Sequence, residues 1–179
     1  MKKLLSLAAV LAATALVVVA VVAPAAAKGR PAAPSPSLVD TAIAANAATG
    51  GQFSVLLCLV TRYPDLVAVL SQRGQHTVFA PTNAAFAQLG LDDSNCAAFQ
   101  EANAAAVREI LAYHVAVGRR DAASVASATR IRMLNGRFAR ISVTPDGVFV
   151  NASRIVLPDV AATNGIIHVI DAVLIPPTA

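Results

Sequence analysis

Beyond an apolar N-terminus, apolar residues in the first half of the chain recur at helical spacing. Positions three or four residues apart form a stripe that one face of an α-helix can bury. Two segments show such a stripe, and its members are Leu38, Ala42 and Ala45, then Phe53, Leu56, Leu57 and Val60. Tyr63-Pro64 ends the second segment, because proline interrupts a continuing helix. The pattern predicts two helices here and a short third helix over residues 66–70.

The pattern then alternates before it returns to helical spacing. Residues 75–80 alternate and include β-branched side chains, which predicts a strand. Thr82 or Asn83 can cap a helix that follows this strand. A further helix is predicted over residues 104–113 from the stripe of Val107, Ile110 and Leu111.

The second half of the chain is rich in strands. Asn135-Gly136 and Asp146-Gly147 are typical of two-residue hairpin turns, which need positive φ at their central positions. The first turn predicts pairing of residues 129–134 with 137–142, and the second predicts pairing of 142–145 with 148–151. Further strands are expected over 154–157 and 166–175. Helices followed by antiparallel strands indicate the α+β fold class.

The N-terminal 27 residues have the layout of a secretory signal peptide. Lys2 and Lys3 precede an apolar run, which ends in the small residues Ala25-Ala26-Ala27. A membrane anchor is the alternative, because about twenty apolar residues can span a bilayer. No second span of that length follows. The Pro-, Ala- and Ser-rich residues 28–37 predict a short tether. We therefore expect export to the periplasm or the extracellular space.

Three separated segments resemble the signature segments of the fasciclin family. They are HTVFAPTNAAFAQL at residues 76–89, the Tyr113-His114 pair within ILAYHVAVG, and NGIIHVIDAVLIP at residues 164–176. The resemblance implies one fasciclin-like domain over residues 38–176, followed by a short tail over 177–179. It implies a wedge-like β-sandwich with helices packed along one side. It also implies a non-enzymatic adhesion module of a secreted bacterial protein.

The two cysteines, Cys58 and Cys96, predict one disulfide in an exported chain. Two buried free thiols are the alternative. A zinc site is disfavoured, because zinc needs four close ligands and no histidine is near either cysteine in sequence. The separation of 38 positions gives a stabilisation of about 3.5 to 4 kcal/mol in the chain-entropy model.

No catalytic or cofactor motif is evident. Nucleophile-elbow, zinc-protease, Walker and dinucleotide-binding patterns are all missing from the sequence. His76, His114 and His168 are far apart in sequence and lack carboxylates at ligand spacing. A triad of Ser142, His114 and Asp171 can be written, but no spacing favours it. We expect no enzyme activity, no metal and no cofactor.

The Tyr113-His114 pair has two interpretations. In animal fasciclin-like proteins this region is implicated in receptor contact, so the resemblance makes the pair a candidate adhesion motif. Alternatively, Tyr113 closes the apolar stripe of its helix and buries its ring, while His114 opens the next strand.

Seven arginines are concentrated within residues 119–154 and provide a candidate polyanion-binding surface. A two-residue turn at Asn135-Gly136 places Arg132 opposite Ala139 and Arg130 opposite Ile141. It predicts that Arg130, Arg132 and Arg137 share one sheet face, while Arg140 lies on the other beside Ile131 and Phe138. Such a strip can bind carboxylates, sulfates or anionic headgroups. A solvated, solubilising face is the alternative.

Composition narrows the expected partners. The net charge of +4 falls to +2 without Lys2 and Lys3, and basic residues are not interleaved with stacking aromatics, which disfavours nucleic acid. The absence of tryptophan disfavours a neutral-sugar platform. We expect contact with an envelope or extracellular polysaccharide or a surface protein, by a monomer or a weakly self-associating chain. The second hypothesis is a carrier that holds a small carotenoid-like lipophilic ligand in an apolar groove.

Overall fold

The structure is a computed structural model that describes residues 36–72 and 74–177. Its helices are α1 (Leu38–Ala48), α2 (Ser54–Val60), α3 (Pro64–Ser71), α4 (Asn83–Ala87), α5 (Cys96–Ala102), α6 (Ala104–Tyr113) and α7 (Ala122–Ser127). Its strands are β1 (His76–Pro81), β2 (Val115–Val117), β3 (Arg130–Arg132), β4 (Phe138–Thr144), β5 (Gly147–Val150), β6 (Ser153–Ala162) and β7 (Gly165–Ile170). The α+β class predicted from the sequence is confirmed. Helices α5 and α7 are additions to the predicted elements.

Local signals explain where several helices begin. Ser37 and Asp40 form a capping box at α1, in which each side chain bonds to the other residue's backbone. Pro64 occupies the first turn of α3, where its missing N–H costs nothing. Thr82 is the residue that caps α4, and Asp121 caps α7.

The seven strands form one sheet in the order β2-β1-β7-β6-β5-β4-β3. Strands β1 and β7 run parallel, although about ninety positions separate them in sequence, and the other neighbours are antiparallel. A bridge between Ala116 and Met133 brings β2 back to β3, so the sheet closes on itself. A closed sheet has an inner face, which is filled by its own side chains, and an outer face, which other elements can cover.

One apolar cluster fills the inner face, and a second covers the part of the outer face that packs against the helices. The helix-side core joins residues of α1, α2, α3 and α6 to the outer face of β1 and β7, including Leu38, Leu56, Leu111, Ile167 and Val169. The sheet-side core lies inside the closed sheet and includes Phe79, Tyr113, Ile131, Ile141 and Ile170. Strand β7 lies between the two cores, and all six of its residues are buried.

The first hairpin differs from the predicted one by a single position. Gly136 donates to the carbonyl of Met133, Met133 donates to the carbonyl of Arg137, and only Gly136 of the loop has positive φ. The loop therefore has three residues, a turn followed by a left-handed glycine. Across the pair, Arg130 lies opposite Arg140 and Arg132 opposite Phe138. The prediction that Arg140 lies on the opposite face from Arg130 and Arg132 is wrong, because one extra loop residue reverses the side-chain alternation.

The second hairpin also turns earlier than expected. Thr144 pairs with Gly147, so Pro145 and Asp146 form the turn. Proline at the second position and glycine at the fourth suit a type I turn, and no positive φ at Asp146 is needed. This register differs from the predicted one by two positions, an even number, so the faces of β4 and β5 are unchanged.

The ends of the domain meet the predicted boundaries only in part. The carbonyl of Pro36 accepts hydrogen bonds from Thr163, and Ser37 caps α1, so these two residues of the predicted tether contact the domain. The predicted signal peptide, residues 28–35 and the tail beyond Pro177 lie outside the described residues. Within the described ranges no single helix has the length and apolar character to cross a membrane; only α2 and α3 together have them, with a bend of 108° between them.

Candidate functional site

One exposed patch of the sheet combines positive charge with an aromatic ring. We call Arg130, Arg132, Phe138 and Arg140 the arginine face. These residues alternate with Ile131 and Ala139, which are buried in the sheet-side core, so the pleat directs the four side chains to solvent.

The geometry of the arginine face places like charges close together. Arg130 and Arg140 are direct cross-strand partners, an arrangement that destabilises a sheet when no anion intervenes. None of the three arginines enters an ion pair within residues 36–72 and 74–177. The guanidinium of Arg130 lies 4.6 Å from the ring centroid of Phe138. Phe138 is 47% exposed. Thr129 completes an open pocket of about 420 Å³ with Arg130, Phe138 and Arg140.

Arg137, the third residue of the predicted strip, lies apart from this face. Its Nε is 3.5 Å from Glu109 Oε1, and its Nη1 donates to the Pro177 carbonyl at 2.6 Å. The three-residue loop turns Arg137 toward α6 and the C-terminal segment, where it has partners already. Arg140 takes its place on the arginine face.

Arg154 extends the charged surface onto β6. Arg154 lies opposite Phe149 of β5, and Phe149 lies opposite Ser142 of β4, which is two positions beyond Arg140. These side chains therefore share the outer side of the sheet.

Arg119 has a different role. Its Nη1 donates to the carbonyls of Ala162 and Gly165 and so links the end of β2 to the β6–β7 turn.

The Tyr113-His114 pair is buried in this structure. Tyr113 is 0% exposed and His114 is 3% exposed. The hydroxyl of Tyr113 donates to the Phe138 carbonyl at 3.0 Å and accepts from Asn151 Nδ2 at 3.0 Å. Neither side chain is presented to a partner in this conformation. Tyr113 instead supports the strand that carries Phe138 and Arg140.

His114 and His168 are held in their neutral forms by their surroundings. His114 Nδ1 donates to the Ile110 carbonyl, and its Nε2 accepts from the Leu174 amide. Burial lowers the pKa of His114 to about 4. Burial also lowers the pKa of His168. Its Nε2 donates to the Arg120 carbonyl, and its Nδ1 accepts from the backbone amide of Asp159. Both rings therefore join separate parts of the backbone.

These bonds exclude the triad of Ser142, His114 and Asp171. Both nitrogens of His114 are engaged by backbone groups, so His114 contacts neither Ser142 nor Asp171. Asp171 Oδ1 accepts from the Arg154 amide instead. In residues 36–72 and 74–177, no cluster of three or more His, Cys, Asp or Glu side chains is placed to hold a metal ion. Cys58 of α2 and Cys96 of α5 form a disulfide.

Apolar cavities lie on the helix side of the sheet. One of about 240 Å³ is bordered by Phe86, Leu89, Phe99 and Val107, and Leu89 and Phe99 are 47% and 37% exposed at its rim. Another of about 180 Å³ lies between α1 and β6, and a third, of about 60 Å³, lies beneath α1 and α3. Each is smaller than the 300–1,000 Å³ typical of small-molecule sites.

Asn151 is the residue of this region that sequence reasoning missed. Its Oδ1 accepts from the Arg140 amide at 2.9 Å, and its Nδ2 donates to Tyr113. Its φ of 54° is in the left-handed region, which asparagine tolerates better than most residues. In the sequence, Asn151-Ala152-Ser153 matches a glycosylation sequon, a pattern that gives no sign of this structural role. Its position between Tyr113 and the arginine face depends on long-range pairing.

The fold and the surface together define a class of protein: a helix-covered, closed-sheet domain whose exposed chemistry suits binding. The fasciclin domain model matches residues 51–176, and the chain belongs to the fasciclin family.

The relatives extend from bacteria to animals. Protein sll1483 of Synechocystis sp. is 41% identical over 131 residues, which cover 73% of this chain and 71% of that protein. Transforming growth factor-beta-induced protein ig-h3 of Sus scrofa is 34% identical over 126 residues, which cover 70% of this chain but only 18% of ig-h3. A solved domain pair of the insect cell adhesion molecule fasciclin I has a TM-score of 0.53 at 20% identity, covering 70% of this chain and 45% of that one, and shows the shared fold.

Proposed function

We propose that this fasciclin-family protein is an exported, non-enzymatic adhesion domain that contacts an acidic polysaccharide of the envelope or matrix through its arginine face. The observation that carries the proposal is the set of Arg130, Arg132 and Arg140, which are exposed on one sheet face and have no ion-pair partner within the described residues. An incoming anionic polymer supplies the missing negative charge and relieves the repulsion between Arg130 and Arg140.

The face is held by a rigid support. Tyr113 and Asn151 fix β4 from the buried side, through the Phe138 carbonyl and the Arg140 amide. A site that is ordered before binding loses less conformational entropy when its ligand arrives. In this proposal Tyr113 contributes to adhesion as a buried support of the surface, with no direct contact to the partner.

Family membership supports a binding role over a catalytic one. The fasciclin I structure belongs to a cell adhesion molecule, and its fold is the one found here. An acidic polysaccharide suits the surface better than nucleic acid does, because Phe138 is the single exposed aromatic ring on the arginine face and a stacked series of bases needs several.

The test compares two double variants of the purified protein with equal charge changes. Arg130→Gln with Arg140→Gln alters the arginine face, whereas Arg62→Gln with Arg108→Gln alters exposed ion pairs on the helical side. Binding to acidic polysaccharide extracted from the host envelope is measured across a salt titration. We expect the face variant to lose at least about tenfold in affinity and the helix variant to retain affinity within about threefold.

Unmodified protein should also bind more weakly as salt rises, because exposed charges are screened over about 10 Å at 0.1 M salt. Equal losses in the two double variants would mean that net charge, and not this face, drives the contact. Absence of binding at every salt concentration would contradict the proposal.

A carrier of a small lipophilic ligand is the second candidate. The apolar cavity bordered by Phe86, Leu89 and Phe99 favours it, because two of these side chains are exposed at the rim where a ligand would enter. Since the cavity of about 240 Å³ is smaller than typical small-molecule sites, part of such a ligand would extend beyond the rim. Organic extraction of the protein from its native host should then release a lipid or a coloured compound. A colourless protein with no extractable lipid would contradict this function.

A further inference from the structure

We infer that the arginine face selects a uronic acid unit, a carboxylated sugar ring, in the open pocket between Thr129, Arg130, Phe138 and Arg140. The inference rests on the proposed function and narrows it, since it names the chemical group recognised within an acidic polymer. The pocket is an open depression of about 420 Å³ on the surface of the sheet.

The charged part of the pocket suits one carboxylate. Arg130 and Arg140 lie directly opposite each other on β3 and β4, so both side chains leave the same face of the sheet from paired positions. Guanidinium presents a planar fork that matches the two oxygens of a carboxylate. One carboxylate bound beside both side chains would be attracted by two positive charges.

The apolar part of the pocket suits a ring next to that carboxylate. Phe138 precedes Arg140 by two positions on the same strand and therefore lies on the same face, one step along the sheet. Arg130 covers one area of its ring, with 4.6 Å between the guanidinium carbon and the ring centroid, while 47% of the side chain remains exposed. An apolar C–H face of a sugar can pack on the exposed part.

A uronic acid unites these two features in one residue. Its carboxylate is bonded directly to the sugar ring, so charge and C–H surface are adjacent. In the pocket, Arg140 and Phe138 are likewise neighbours on one face of β4. Polyphosphate offers charge without a ring, and a neutral or esterified sugar offers a ring without charge. Thr129 borders the pocket beside these two features.

The test uses three probes on the purified protein: an oligogalacturonate, its methyl ester, and inorganic polyphosphate of matched charge. We expect the oligogalacturonate to bind about tenfold more tightly than polyphosphate, a difference of about 1.4 kcal/mol. The methyl ester keeps the ring and removes the charge, and it should bind too weakly to measure. Titration calorimetry at constant ionic strength provides the affinities.

Two matched variants separate the ring from the charge. Phe138→Leu should weaken oligogalacturonate binding about tenfold and change polyphosphate binding less than about twofold. Ile43→Ala, at an exposed apolar side chain on α1, should change neither. Arg140→Gln should weaken both anionic probes. If Phe138→Leu does not fold, as judged by circular dichroism, the comparison of the three probes on unmodified protein decides.

The outcomes distinguish this inference from the broader proposal. Equal affinity for oligogalacturonate and polyphosphate, or equal binding of acid and methyl ester, overturns uronate selection. In the first case acidic polymers still bind, so the adhesion proposal stands. If neither anionic probe nor the host polysaccharide binds, both fail.

Discussion

Strand β7 and the hairpin of β3 and β4 belong to one sheet but have opposite surroundings. Strand β7 is covered by the helix-side core on one face and the sheet-side core on the other, and all six residues are buried. In β3 and β4 only alternate residues are buried, and the outward positions carry Arg130, Arg132 and Arg140. Charge is retained only where one face of the strand is free, because burying an unpaired charge is costly.

The polar residues of the two regions follow the same rule. His168 of β7 is 0% exposed, and burial lowers its pKa, which favours the neutral ring. Its ring lies 5.6 Å from that of Phe79 and both ring nitrogens bond to backbone groups. The central strands are therefore buried within the fold, and the hairpin carries the exposed arginines of the proposed binding site.

The largest expected effect contrasts a buried and an exposed side chain. Ile170→Ala in β7 removes a fully buried side chain, and we expect the free energy of unfolding to fall by about 2–5 kcal/mol. Val143→Ala in β4 shortens a side chain that is 60% exposed, and it should change the free energy of unfolding by less than about 0.5 kcal/mol. Urea unfolding gives both values. Similar losses would mean that the two strands are equally important to stability.

Acid should destabilise the fold through its buried histidines. The pKa of His114 falls from 6.5 to about 4 on folding, so between these values the unfolded chain binds a proton that the folded chain does not. The contribution of neutral His114 to the free energy of unfolding is therefore fully present above pH 6.5 and is lost as the pH falls to about 4. The loss is about 1.4 kcal/mol per pH unit and about 3 kcal/mol in total. Urea unfolding from pH 7 to pH 4 measures it. His114→Gln should reduce this slope, and an unchanged slope would contradict the assignment.

Tyr113→Phe tests the link between the buried region and the hairpin. The change leaves the Phe138 carbonyl and the Asn151 amide without their partner, so we expect a loss of about 1–3 kcal/mol. Tyr63→Phe is the matched control, because it removes a single bond to the Ala104 carbonyl and should cost about 0.5–1.5 kcal/mol. Urea unfolding compares them, and equal losses would remove the special role of Tyr113.

The smallest effect is expected on the arginine face itself. Arg140→Gln removes one of two like charges that face each other across the hairpin, while the backbone bond to Asn151 remains. Stability should rise by up to about 0.5 kcal/mol at low salt and converge with that of the unmodified protein at high salt. Thermal unfolding at two salt concentrations checks this. A marked loss of stability would mean that Arg140 is structural.

Local sequence signals predicted much of this fold. The predicted helix over residues 66–70 lies within α3, Thr82 is one of the two predicted caps of α4, and the helical stripe over residues 104–113 coincides with α6. The order of helices and strands and the family resemblance both indicated the α+β class. Short elements such as α5 and α7 were missed, since six or seven residues carry too little periodicity to distinguish them from loops.

The candidate site was only partly predictable. The sequence placed arginines in the hairpin, but the face each occupies depends on the loop length at Asn135-Gly136. A three-residue loop and a two-residue loop differ by one position, which moves every side chain of the strand to the other face. Arg137 was therefore exchanged for Arg140, and Phe138 joined the arginines.

The sequence by itself determined the fasciclin family, the order of the main helices and strands, and the concentration of arginine in the second half, because these depend on residue type and local spacing. Tertiary structure alone decided the parallel pairing of β1 with β7, the hydrogen-bond partners of Tyr113 and His114, and the membership of the arginine face. Each of these depends on contacts between residues far apart in the chain or on one hairpin register, and packing of the whole sheet selects among registers that local propensities leave nearly equal in free energy.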